Sequence, residues 1–144
     1  MLVENPGSFT QAALEAVAAH NIVNPATGTF ATNIVNTNDN NIATNSVATV
    51  VGQYAIIDFG RVLRIRKSRM CGHNNNNGDG SFRVDYYDLV VHAWTTWCVV
   101  PTRTGATWSE VIQTEQLTDK IRLTLLVDDT KGFNSNVGEF HAIY

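Results

Sequence analysis

Cysteine is scarce: the 144-residue chain carries 2. Two thiols cannot build the disulfide framework of a small secreted scaffold, so free thiols in a reducing compartment are expected. Long apolar runs are missing too. No stretch approaches the roughly 18 apolar residues that a membrane-spanning helix requires, and the opening "MLVENPGSF" has no basic patch followed by an apolar core. These absences predict a protein made and kept in the cytoplasm, with no membrane partner. Positive charge is not in excess: 10 Lys and Arg stand against 13 Asp and Glu, a formal net charge of -3. The sequence pI near 5.7 lies below the value of about 9 usual for dedicated nucleic-acid-binding domains.

The common catalytic signatures are absent as well. There is no G-x-S-x-G elbow, no G-x-x-x-x-G-K-[ST] phosphate loop, no H-E-x-x-H and no paired glycine fingerprint, so no enzyme class is indicated. "GDG" at Gly78 to Gly80 reads as a turn. Asp85 and Asp88 are three apart, which on a strand points them to opposite sides, as ordinary solvated carboxylates. Asp58, just before "FG", is expected to brace a turn. No cofactor is implied.

What is present suits one ordinary core: 44% hydrophobic and 16% charged residues, with no linker or internal repeat, predict a single domain over 1–144. "SFTQAALEAVAAHNI" has Ser8 as a cap and Phe9, Ala13 and Val17 on one small apolar face, which predicts a short amino-terminal helix. Residues 23–46 are rich in Asn and Thr, whose side chains compete with backbone hydrogen bonds. An extended arm or long loop is expected there, either a floppy insertion or a segment ordered by a partner. "NTNDNN" lacks the glycine and final Glu of an EF-hand, so calcium is not indicated.

Strand patterns dominate the middle. "RVLRIRKSRM" alternates, with Leu63 and Ile65 on one face and Arg64 and Arg66 on the other. "FRVDYYDLVVHAWTTWCVV" reads as one long strand, with Tyr87, Leu89, Val91, Ala93 and Trp97 on one face and Tyr86, Val90, His92 and Trp94 on the other. Between these patterns lies "HNNNNGDG", whose Asn and Gly tolerate positive φ, so a long β-hairpin is predicted with His73, Asn74, Asn75, Asn76, Asn77 and Asp79 at its tip. "LTDKIRLTLLVDDTKG" is ambiguous: Leu117, Ile121 and Leu125 fit a helix, while Ile121, Leu123, Leu125 and Val127 alternate as in a strand. The helix is favoured, because Leu, Lys, Arg and Gln are good helix formers and Gly132 suits its end. "VGEFHAIY" reads as a last strand. The predicted fold class is α+β: a twisted antiparallel sheet with a long hairpin, flanked by the amino-terminal helix and a helix in the carboxy-terminal half.

Three chemistries compete. Cys71, His73, His92 and Cys98 are the right ligand types for zinc. Folding the hairpin about Asn76 nevertheless leaves Cys71 and His92 roughly 30 Å apart at about 3.3 Å per residue, so no metal site is expected; Cys71 and His73 are expected in solvent. Arg61, Arg64, Arg66, Lys67 and Arg69 could hold phosphates while Phe82, Tyr86, Tyr87, Trp94 and Trp97 stack bases, which keeps a small nucleic-acid-binding α+β domain as the alternative. The aromatic second face of "DYYDLVVHAW", with few charges, points instead to a buried subunit interface through Tyr86, Val90, His92 and Trp94, joined by Arg64 and Arg66.

An amino-terminal helix, a polar stretch, "YAIIDFG", a strand pair ending in "YYDLVVHAW", then "LTDKIRLTLLVDDTKG" and a final strand together resemble the tail terminator, or tail-completion, family of tailed bacteriophages. The 23–46 arm and "CVVPTRTGATWSEV" depart from its compact form. The resemblance implies a non-enzymatic virion protein at the head-tail neck, made in the host cytoplasm. It would form a ring, commonly a hexamer, that ends the tail tube and joins it to the head connector, with DNA passing through without sequence recognition. The Asn-rich tip would then touch a neighbouring ring or subunit.

Overall fold

The computed structural model describes residues 24–39, 41, 43–72, 80–101, 108–128, 135–137 and 139–143. Nearly all of them are in, or packed against, antiparallel sheet. Eight strands follow in order: β1 (Thr27–Gly28), β2 (Ser46–Ala48), β3 (Tyr54–Cys71), β4 (Ser81–Asp88), β5 (Ala93–Pro101), β6 (Trp108–Val127), β7 (Ser135–Val137) and β8 (Glu139–Ile143). The larger sheet has the order β1-β3-β6-β4-β5, with β8 also pairing β3, and β2 and β7 form a second, two-stranded sheet. A core shared by both sheets, including Phe82, Leu123 and Leu125 from the first and Ala48 and Val137 from the second, makes the architecture a β-sandwich.

The α+β expectation is corrected at β6. A helix over 117–128 would bury Leu117 with Ile121 and Leu125, yet Leu117 is 42% exposed while Ile121 and Leu125 are fully buried. Alternation wins because β6 is a central strand, hydrogen-bonded to β3 along one edge (Ile57↔Ile121, Ala55↔Leu123) and to β4 along the other (Val84↔Leu123, Phe82↔Leu125). Two ladders stabilise the strand far more than the tenths of a kcal/mol by which Leu, Lys and Arg favour helix. Among the described residues the only helical turn is a 3₁₀ helix, Ile34–Asn38. The predicted amino-terminal helix lies outside the described residues.

The predicted hairpin is corrected as well. β3 and β4 are not neighbours; β6 runs between them, antiparallel to both. The hairpin that forms is β4–β5, with Tyr87 opposite Trp94 and Tyr86 opposite Thr95. Its turn falls inside the stretch that the sequence pattern reads as one strand. Asp88 Oδ1 accepts hydrogen bonds from the N–H groups of Val90 (2.8 Å) and Val91 (3.2 Å), and His92 takes φ +55. An Asx turn of this kind needs no Gly or Pro, and apart from Asp88 none of the usual turn residues is in it. The Asn-rich tip itself, residues 73–79, lies outside the described residues.

Segment 24–48 packs onto the sandwich. Ala26 and Phe30 join the core, and Phe30 meets Phe82 with ring centroids 6.0 Å apart. Its buried polar groups bond to each other: the Asn38 side-chain carbonyl accepts from Ala26 N–H at 3.0 Å, and the Thr37 and Ser46 hydroxyls lie 2.8 Å apart. Thr and Asn thus do here what regular ladders do elsewhere, satisfying the backbone locally.

Candidate functional site

Strand alternation sorts the larger sheet into an inner and an outer face. Ala55, Ile57, Val84, Phe82, Ile121, Leu123 and Leu125 are buried inside. The partner positions place Tyr54, Arg83, Asp85, Tyr87, Trp94, Thr96, Lys120, Arg122 and Thr124 on the outer face, from four adjacent strands. A bulge between Val84 and Asp85, where β5 carries Trp97 as an extra residue, keeps Thr96 beside Asp85.

Asp85 organises this face. It is 1% exposed, yet it is fully engaged. Arg83 Nε donates to its Oδ1 at 2.9 Å, the Thr96 hydroxyl to Oδ1 at 3.1 Å, and Arg122 to Oδ2 from Nε at 3.1 Å and Nη2 at 2.8 Å. Two guanidinium groups thus share one carboxylate, and the cluster keeps a net positive charge. Charge-assisted bonds of this kind offset the desolvation of the buried carboxylate and fix the arginine planes.

Aromatic rings flank the fixed cations. The Arg122 guanidinium carbon lies 4.7 Å from the Trp94 ring centroid and 6.0 Å from that of Tyr54. Lys120 Nζ lies 4.7 Å from the Tyr87 centroid, and Tyr87 meets Trp94 edge-on at 5.4 Å. Alternating rings and cations make a stiff platform of half-buried side chains.

Beside the platform opens a cleft of about 260 Å³, lined by Val51, Gly52, Tyr54, Arg83, Arg122, Thr124, Leu125 and Leu126. Its wall at 50–53 is braced to β6: Gly52 N–H donates to the Leu125 carbonyl and Leu125 N–H to the Gln53 carbonyl, each at 2.9 Å. The Gln53 side-chain oxygen ties the turn further by accepting from Thr49 N–H at 2.7 Å and Val50 N–H at 3.2 Å. Val50, Val51, Leu126 and Val127 are 39–60% exposed around it, an apolar rim of the sort that marks a binding surface. Rings, an apolar rim and convergent donors suit a ligand with C–H faces and many hydroxyls.

The residues singled out from the sequence do not form one face. Tyr86 packs against the core, whereas Trp94 stands on the outer face opposite Tyr87. Val90, 86% exposed, and His92 sit at the β4–β5 turn. Arg64 pairs with Glu115 at 3.2 Å further along β3, and Arg66 is exposed there. The proposed base-stacking set is split likewise: Phe82 and Trp97 are buried, and Trp97 donates its indole N–H to the Thr114 carbonyl at 2.9 Å. Cys71 is buried rather than solvated, and Cys98 is buried against the Ser68 hydroxyl at 3.2 Å. Asp58 lies within β3 rather than at a turn: its Oδ1 accepts from Gly60 N–H at 2.8 Å where the register shifts between Asp58 and Leu63. Arg83, Arg122, Tyr54 and Thr124 went unnoticed in the sequence, and Asp85 read as solvated. The available signal was the alternation of Arg122 and Thr124 with buried Ile121, Leu123 and Leu125.

No protein-family model and no curated protein matches the sequence. Solved structures do match its fold. The family 32 carbohydrate-binding module of NanJ from C. perfringens, in complex with galactose, is 12% identical, with 88% of this chain and 98% of that one covered and a TM-score of 0.73. CpGH89CBM32-5 from Clostridium perfringens, in complex with GalNAc-β-1,3-galactose, is 10% identical over 89% of this chain and 99% of that one, with a TM-score of 0.72. The CBM32 of AlyQ, in complex with 4,5-unsaturated mannuronic acid, is 19% identical over 83% and 92%, with a TM-score of 0.67.

The fold is that of these sugar-binding modules. It overturns the resemblance to phage tail terminators, and with it the sixfold neck ring, its tail-tube and connector partners and the channel DNA. That resemblance leaned on "YYDLVVHAW" as a continuous strand and "LTDKIRLTLLVDDTKG" as a helix; the first contains a turn and the second is β6. The nucleic-acid-binding alternative falls with the same finding, and its basic and aromatic strands, β3 and β4, are separated by β6.

Proposed function

We propose that this chain is a carbohydrate-binding module that holds its ligand on the outer face of the larger sheet. The carrying observation is the platform of Tyr54, Trp94 and Tyr87 set around the fixed Arg122 and Lys120, beside the cleft. A pyranose has an apolar C–H face that packs on an aromatic ring and an equatorial belt of hydroxyls that accept from guanidinium and hydroxyl donors. The cleft volume accommodates a single sugar ring, with further rings free to run over the exposed rim. The sandwich fold, shared with modules that bind galactose, GalNAc-β-1,3-galactose and an unsaturated mannuronic acid, supports the class of ligand while leaving the sugar open.

The role is binding rather than catalysis. Asp85, the buried carboxylate of the face, is held by four donor atoms, so both its oxygens are occupied by the chain's own side chains rather than turned to a substrate. An array of neutral and acidic glycans probed with the wild-type chain and with Trp94→Ala tests the reading. Binding to a defined set of sugars, weakened about fivefold by loss of the ring, is expected for a stacking contact of about 1 kcal/mol. Binding to no glycan, or binding indifferent to Trp94 and Tyr54, would overturn it.

A further inference from the structure

Resting on the sugar-binding reading of this face, we infer that the cleft selects an acidic sugar and receives its carboxylate between Arg83 and Arg122. Both charged residues lining the cleft are arginines. Asp85 neutralises one of the two positive charges and leaves the other. Among the described residues it also leaves hydrogen-bonding edges unused: Arg83 spends only Nε on Asp85, so its two terminal nitrogens are available, and Arg122 spends Nε and Nη2, leaving Nη1. The pair of terminal nitrogens on a planar guanidinium matches the two oxygens of a carboxylate.

A second observation points the same way. Thr124 lines the cleft and is 9% exposed, and its hydroxyl is buried with no hydrogen-bond partner among the described residues. Leaving such a group unsatisfied is costly, and it calls for a partner from outside the chain. Thr124 sits directly between Tyr54 of β3 and Arg83 of β4 in the sheet register. A ligand oxygen in the cleft is thus offered two guanidinium edges and a hydroxyl at once, while Val51 and Leu126 meet its C–H surface. A neutral sugar would leave the surplus positive charge unmatched.

Calorimetric titration of the wild-type chain with trisaccharides of galacturonic, glucuronic and mannuronic acid, each beside its carboxyl-reduced neutral counterpart, tests this. At least one uronate is expected to bind tenfold or more tightly than its reduced form, with the advantage shrinking as salt is raised. Arg83→Gln should abolish that advantage, bringing the affinity for the uronate down to that for its carboxyl-reduced counterpart in the same variant. Thr124→Val should weaken uronate binding several-fold without lowering the thermal midpoint, since the lost hydroxyl has no partner within the fold. Equal affinity for reduced and acidic forms would overturn the inference and leave the sugar-binding reading standing. Preference for a sulfated sugar over every uronate would also overturn it, in favour of a sulfate ester. Failure of acidic and neutral sugars alike would remove both.

Discussion

Arg122 grips Asp85 through two nitrogens on one oxygen, Nη2 at 2.8 Å and Nε at 3.1 Å, while its guanidinium lies 4.7 Å from the Trp94 ring centroid. One buried carboxylate therefore sets the height and tilt of the cation on which the aromatic face is arranged. Asp85→Ala strands two arginines whose side chains are 35% and 23% exposed. Removing one partner of a buried pair costs about 3–5 kcal/mol. Water reaching these arginines pulls the expected loss toward the lower figure. Urea unfolding measures it; a loss below about 1 kcal/mol would mean that Asp85 is no anchor.

Gly28 controls the position of Tyr54. It pairs with Ala55 at φ +141, and a Cβ there would run into the Tyr54 carbonyl oxygen and come within 3.0 Å of its ring. Gly28→Ala is predicted to destabilise the fold by about 1–3 kcal/mol through backbone strain and to move Tyr54 away from the cleft. Circular dichroism melting and tyrosine chemical shifts would register both; an unchanged melt with unchanged shifts would contradict the close approach.

Cys98 links stability to alkaline pH. Burial pushes its thiol above the ordinary value of 9.0; the Ser68 hydroxyl opposes the rise and the nearby Asp85 charge adds to it. Since the folded pKa exceeds the unfolded one, the contribution is complete below about pH 9 and is lost as pH climbs through the raised folded value. Chemical unfolding between pH 7 and 11 should show stability falling above pH 9, and Cys98→Ala should flatten that limb. The buried thiols of Cys71 and Cys98 should also resist alkylation in the folded protein at neutral pH. Rapid labelling of Cys98 at pH 7 would contradict its burial.

Much of the sandwich's material was legible in the sequence, and its connections were not. The alternation of Leu63 and Ile65 against Arg64 and Arg66 marks β3 correctly as strand. Two features hid the rest. The β4–β5 turn is made by Asp88, Leu89, Val90, Val91 and His92, of which only Asp88 carries a turn signal, so register beyond it is not fixed by composition and Trp94 faces with Tyr87 instead of Tyr86. The non-local pairing of β6 with both β3 and β4 carries no local signal, and Leu117, Ile121 and Leu125 imitate a helical stripe until Leu117 is seen at the surface. The site suffered most, because its residues come from four strands and converge only once the register is known. Asp85 could not be recognised as buried without Arg122, which lies 37 positions away.

On the proposed reading a sugar sits on the face of Tyr54, Trp94 and Arg122. Nuclear magnetic resonance titration of the isotopically labelled chain with the tightest-binding glycan from the array tests it most directly. The Trp94 indole, the Arg122 and Arg83 side chains and the Gly52 amide are expected to shift together and saturate with a single dissociation constant. The Trp108 indole, which lies against Arg69 at 4.5 Å and His141 at 5.0 Å in a separate cluster, should stay in place. Shifts confined to Trp108 and its neighbours, with Trp94 unmoved, would contradict it.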